Sequence, residues 1–186
     1  MPFDPSLRTK PATSNATEPL KESPSQTAGP YVHIGCVPQA IGLDNAPKQL
    51  ASNADVPPGE SIVIQGRVLD GEGALAKDVM IESWQIDGQW HRAICDLETG
   101  QFRLETSRPQ ATAPATPSVQ IWIVARGINI GLSTRIYFDD EENSEDPILA
   151  LVPDDRRNTL IAKGNNGEYQ IDIRLQGDDE TVFFDA

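Results

Sequence analysis

Strict alternation of apolar and polar residues is the feature that most narrows what this chain can fold into. In 169–175, Tyr169, Ile171, Ile173 and Leu175 take turns with Gln170, Asp172 and Arg174. A period of two places one set of side chains on one face of an extended strand and the other set on the opposite face. The stretch 101–106 does the same, with Phe102 and Leu104 facing one way. Further strands are predicted over 62–69, 79–85, 119–124 and 132–138, and 181–184 reads as a closing edge strand. The run 119–124 is apolar and β-branched, as expected of a central strand. Between these segments stand Asp70-Gly71-Glu72-Gly73 and Asp87-Gly88, which are turn chemistry. One helix is predicted, over 154–163. Pro153 precedes it, Asp154 and Asp155 occupy its first turn, Lys163 its last, and Gly164 can end it. Short strands with one short helix predict an all-β, antiparallel β-sandwich.

Composition agrees and excludes several roles. The 15 Pro and 14 Gly among 186 residues suit a turn-rich β domain. Asp plus Glu number 28 against 15 Lys plus Arg, a formal charge of −13. Such a surface repels nucleic-acid phosphates and anionic lipid, so neither is an expected partner. It also repels a small anionic substrate at long range, so binding one requires a locally placed cation. Cys36 and Cys95 have no spacing that suggests a metal knuckle or a disulfide framework, and no apolar run reaches membrane length. The expected location is the cytoplasm, with both thiols free.

The chain divides into three parts. Residues 1–24 are rich in Pro, Ser, Thr, Lys and Glu and read as a disordered N-terminal arm. Residues 25–60 read as an extended interface segment followed by a loop. Residues 61–186 read as the β-sandwich domain.

Four stretches carry a family resemblance. They are 24–35, containing Thr27-Ala28-Gly29-Pro30-Tyr31; Glu82-Ser83-Trp84-Gln85; Ala125-Arg126-Gly127-Ile128-Asn129-Ile130 running on to Thr134-Arg135-Ile136-Tyr137-Phe138; and 172–185. In this order and spacing the chain resembles the α-type chains of the intradiol ring-cleavage dioxygenases of the protocatechuate 3,4-dioxygenase kind. The resemblance covers 22–186. It implies a β-sandwich of the intradiol type and a partner, a catalytic β subunit holding Fe(III). It implies an activity for the pair: opening protocatechuate, an aromatic catechol acid, to 3-carboxy-cis,cis-muconate with dioxygen.

In this family the catalytic chain binds iron through two Tyr and two His. The resemblance places those four positions at Trp90, in the Tyr-free loop 109–114, at Ser118 and at Gln120. Phenolate and imidazole suit iron(III), and none of these residues supplies either. The chain therefore carries no predicted catalytic or metal-binding residue of its own. His91 is the best stand-in, although it also reads as an ordinary surface His in a loop. His33 reads as a structural His at an interface. The resemblance instead implies that Thr27, Gly29, Pro30 and Arg126 line the pocket of the β chain. Gly permits close backbone approach to a ring, Pro supplies a rigid apolar edge, and Arg can pair with a benzoate carboxylate. Gly29-Pro30 also reads as a plain turn, and Arg126 as a strand-end cation paired with an acid. Trp84 and Trp122 read as core residues. The chain departs from the family in the compact connection 85–101, in the loop 109–117, and in Ser133 where a His is expected. A non-catalytic β-sandwich binding or assembly module is the alternative function.

Overall fold

The computed structural model describes residues 27, 29, 31–38, 42–43 and 61–185. The predicted arm 1–24 and most of the 25–60 segment, Pro30 included, lie outside the described residues. Nine strands form: β1 (Ser61–Leu69), β2 (Met80–Trp84), β3 (Trp90–Ile94), β4 (Gln101–Ser107), β5 (Ser118–Val124), β6 (Leu132–Phe138), β7 (Ile161–Asn165), β8 (Glu168–Gln170) and β9 (Ile173–Arg174). They join in one curled sheet in the order β3-β2-β5-β6-β7-β8-β1-β4, with β9 on β1. Most pairs are antiparallel; β1–β8, β1–β9 and β6–β7 are parallel.

The curl brings the sheet's two halves face to face, as a sandwich does. Ile81, Val119, Ile121 and Ile123 from one half meet Ile62, Ile64, Phe102 and Leu104 from the other, all of them buried. Burying one such side chain contributes about 1.5–3 kcal/mol, so this layer is the main source of stability. The two ends of the sheet also meet, where the Ser107 hydroxyl of β4 donates to Gln89 Oε1 just before β3 at 2.8 Å. The Gln85 amide beyond β2 donates to Thr106 Oγ1 at 2.7 Å and to the Ser107 carbonyl at 2.8 Å on β4. A second apolar cluster, Tyr137, Leu149, Val152 and Leu160, fills the end beyond β6.

Five sequence expectations are corrected. The helix predicted over 154–163 is a 3-10 turn, Arg157–Leu160, that runs straight into β7. Leu160 is fully buried, and Ile161 and Ala162 are captured beside Tyr137 and Phe138 of β6. Tertiary pairing there outweighs capping signals worth about 1 kcal/mol each. The 30s segment, expected to be extended, contains a helix, α1 (Tyr31–Cys36). Six residues do not hold a helix alone. This one is fixed by burial of Val32 and Val37 and by the Arg92 guanidinium, which donates to the Cys36 carbonyl at 3.0 Å.

The strand over 169–175 is interrupted. Val63 pairs with Glu168 and Val68 with Ile173, so the register is the same on both sides of the break. Asp172 causes the gap, because its carboxylate accepts the Arg67 N–H at 3.0 Å and the Arg67 guanidinium at 2.5 Å. The segment 181–184 makes a single bridge, Ser133 to Phe184, in place of a strand. Trp84 and Trp122 are not core. Inward positions on β2 and β5 belong to Ile81, Ser83, Ile121 and Ile123, which leaves both indoles on the outer face, 43% and 38% exposed.

Gly66 sits where β1 meets this interruption. A Cβ there would come within 1.7 Å of the Ile171 carbonyl oxygen. Gly66→Ala is expected to cost at least about 2 kcal/mol by forcing backbone apart. Gly35→Ala, which meets open space, is expected to be near neutral. Urea denaturation of the two variants checks both.

Candidate functional site

Strand register builds the outer face of β3, β2, β5 and β6. One row reads Trp90, Trp84, Gln120, Arg135; the next reads Arg92, Glu82, Trp122, Ser133. Glu82 is 5% exposed on a sheet face, which requires a partner. Arg92 is that partner, with Nε donating to Glu82 Oε1 at 2.7 Å, and the Trp84 indole N–H donates to the second oxygen at 3.3 Å. The Arg92 guanidinium also lies 5.1 Å from the Trp90 ring centre, and Trp90 stacks on Trp84 at 5.9 Å. Trp122 covers Gly131 so closely that a Cβ would lie 2.1 Å from its indole nitrogen.

Three of the four positions that the resemblance gave to iron ligands, the 109–114 loop, Ser118 and Gln120, meet at one cleft. A cleft of about 270 Å³ is lined by Trp84, Gln110, Thr112, Ser118, Gln120 and Arg135, with Trp90 stacked behind Trp84. The groups present are an indole, hydroxyls, carboxamides and a guanidinium. They supply neither phenolate nor imidazole nor carboxylate, and a guanidinium repels a cation. The cleft does not fit ferric iron. Among the described residues, no three His, Cys, Asp or Glu side chains converge as a metal site.

His91 is not a surface loop residue and does not face the cleft. It lies in β3 opposite Ser83, 8% exposed, with Nε2 lacking a hydrogen-bond partner. Burial lowers its pKa from the ordinary 6.5, and Glu105 raises it by less. The folded chain therefore keeps His91 neutral where the unfolded chain takes up a proton, and stability falls as pH drops below about 6.5. The urea midpoint is expected to decline between about pH 7 and pH 5.5, and His91→Gln is expected to flatten that decline. The side chain of His33 lies outside the described residues.

The other predicted site residues meet elsewhere. Thr27 Oγ1 accepts the Gly127 N–H at 3.1 Å and the Gly29 N–H at 3.4 Å. This hydrogen bond brings Thr27 and Gly29 onto the turn that follows β5, beside Arg126. Gly29 has φ +57° and Gly127 has φ +86°, conformations open to Gly at little cost. Pro30 lies outside the described residues. The Arg126 guanidinium is ion-paired with Asp78 and is 60% exposed. Sequence reading passed over Asp78, which stands 48 residues before Arg126; only the β2–β5 pairing makes them neighbours. Lys77, Asp78, Arg126 and Ile128 border an open groove of about 480 Å³. This patch and the cleft lie at opposite ends of β5, roughly 25 Å apart at the usual strand rise.

Comparison with known proteins agrees with the motifs. No protein-family model matches the chain. The protocatechuate 3,4-dioxygenase alpha chain of Pseudomonas putida is 41% identical over 90% of this chain and 98% of its own length. That of Burkholderia cepacia is 38% identical over the same shares. The protocatechuate 3,4-dioxygenase beta chain of Burkholderia cepacia is 27% identical over 67% of this chain and 68% of its own length. Among solved structures, an intradiol ring-cleavage dioxygenase from Tetranychus urticae superposes with a TM-score of 0.55 at 14% identity, over 67% of this chain and 86% of that one. The dioxygenase domain of a carbohydrate-binding fusion from Streptomyces sp. SirexAA-E gives 0.51 at 18% identity, over 67% and 85%. These structural likenesses bear on the fold, whereas the identity to the two alpha chains decides kinship: this chain belongs to the family of protocatechuate 3,4-dioxygenase alpha chains.

Proposed function

We propose that the chain is the α subunit of an α/β intradiol dioxygenase, lining a protocatechuate pocket whose Fe(III) is held by a β subunit. One observation supports this above the others. The Thr27–Gly29–Arg126 patch stands at the far end of β5 from the chain's own cleft, which supports a role for it in a pocket other than that cleft. The cleft itself does not fit iron, in keeping with the metal residing on the partner.

In this reading the bound iron supplies the oxygen chemistry, and this chain's residues bind and orient. Thr27 holds the N-terminal segment on the post-β5 turn. Gly29 offers bare backbone to an aromatic ring, and Pro30 adds a rigid edge. Arg126 offers a cation to the substrate carboxylate within an acidic protein. Asp78 holds that guanidinium in place, and the exposed edge of Arg126 remains open to a second carboxylate. The outer-face side chains Trp84, Trp122, Leu151 and Ile130 are exposed apolar surface that a partner subunit would cover. The described residues contain no helix long and apolar enough to cross a membrane. The cytoplasm is the proposed compartment, in keeping with unpaired thiols at Cys36 and Cys95, the latter pushed up to about 12 by burial.

Co-expression with the candidate β chain tests the reading. The pair is expected to bind iron and cleave protocatechuate. Arg126→Ala is expected to raise KM for protocatechuate about tenfold while leaving iron content and catechol turnover little changed, because catechol lacks the carboxylate. Equal loss on both substrates would make Arg126 a structural partner of Asp78 and overturn its role toward the carboxylate. Thr27→Val removes the hydrogen bond to Gly127 and is expected to raise KM for both substrates by severalfold without unfolding the chain.

A further inference from the structure

Asp78 adopts a backbone conformation that its turn alone does not call for. Its φ is +61°, in the left-handed region. Among the described non-glycine residues Asn166 shares that conformation, and there it serves the two-residue Asn166-Gly167 turn between β7 and β8. Asp78 belongs to no such hairpin. It lies in the turn that leads into β2, just before the buried Val79 and Met80. Glycine takes a positive φ at less cost than any other residue. A chain that carries Asp where Gly is cheaper keeps a carboxylate in a fixed place.

That carboxylate is sheltered, its side chain 15% exposed, and it pairs with the largely exposed Arg126 guanidinium. Register explains the meeting. Met80 pairs with Val124, and the same antiparallel register continued by two residues sets Asp78 opposite Arg126. The acid is the held member of the pair and the cation the projecting one. Arg126 is braced through its backbone as well. The next residue, Gly127, donates its N–H to Thr27 Oγ1 at 3.1 Å, and the Ile128 N–H closes the turn onto the Ala125 carbonyl at 3.1 Å. A guanidinium held at one edge keeps donors on another. A long side chain already held also loses less rotamer freedom when it binds. Asp78 cannot add attraction for an anion, since its own charge opposes one. What it supplies is orientation.

We propose that Asp78 is a positioning residue for substrate selection: acting through Arg126, it makes the α/β enzyme favour catechols that carry a carboxylate over those that do not. This rests on the pocket role proposed for Arg126.

Steady-state kinetics of the co-expressed α/β pair on protocatechuate and on catechol test it. Asp78→Asn keeps the size of the side chain and tolerates the same φ, but removes the charge. It is expected to raise KM for protocatechuate about fivefold, while kcat and the KM for catechol move less than about twofold. In an Arg126→Ala background the same change is expected to add nothing, because a residue that acts through another falls silent when that other is gone. Asp78→Gly suits the turn better than Asp does. It is expected to reproduce the protocatechuate defect, and it carries the test if a melting curve shows Asp78→Asn to be unfolded. Equal loss on both substrates, or a loss that persists in the Arg126→Ala background, overturns the proposal and makes Asp78 a structural residue of its turn. A lower KM for protocatechuate also overturns it, and makes Asp78 a competitor for the cation. If Arg126→Ala separates the two substrates and neither Asp78 variant does, the proposal falls alone. If Arg126→Ala does not separate them, the pocket role of Arg126 falls and takes this proposal with it.

Discussion

Arg108 is the clasp on which the rest of the structure depends. It stands one residue beyond β4 and ties that strand's end to the opposite side of the curled sheet. Its Nη2 reaches Asp140 at 2.9 Å and Glu141 at 2.5 Å beyond β6, and its Nη1 donates to the Tyr169 hydroxyl of β8. Tyr169 in turn donates to Asp140 at 2.8 Å. The Tyr169 ring is fully buried and packs edge-on against Phe138 at 4.7 Å. The charged groups remain partly exposed, 30% at Arg108 and 42% at Asp140, and the clasp holds because several partners share its hydrogen bonds. Arg108 correspondingly holds the Asp140 carboxyl below the usual range. Removing Arg108 leaves the buried Tyr169 ring with Asp140 as its remaining hydroxyl partner.

The same clasp governs the outer-face cleft. The 109–116 loop starts at Arg108 and ends at Thr116, whose N–H and hydroxyl both donate to Asp146. Burial opposes ionisation of Asp146, but donors from Leu149, Thr116 and Tyr137 outweigh it and hold its pKa low. A loop pinned at both ends forms a wall of defined shape. Arg135 lines the same cleft, opposite Gln120.

The outer face also joins the cleft to α1. The Glu82–Arg92 pair anchors Trp84 and Trp90 beside the cleft, and Arg92 reaches on to the Cys36 carbonyl at the end of α1. Thr27 closes the N-terminal segment onto the turn after β5. Thr27 and the end of α1 are therefore each held to the sandwich by a hydrogen bond. A pre-ordered segment costs less to immobilise when a partner covers it.

Much of this was legible in the residues themselves. The alternation in 101–106 marked β4 and its inward side, and 62–69 and 132–138 read as strands where β1 and β6 stand, because the pleat is a local property with a period of two. The motifs around Thr27 and Arg126 carried the kinship to the alpha chains. Only the tertiary structure decided the rest. Trp90 to Ile94 alternates too weakly to announce a strand, and pairing with β2 makes it one. The 154–163 stretch carries every local signal of a helix, yet capture of Ile161 and Ala162 by β6 makes its second half a strand. Asp78 meets Arg126, and Arg135 meets Gln120, through strand register alone. Local periodicity is written along the chain, whereas register joins residues far apart in it, and the energy that selects one register comes from the whole packed core.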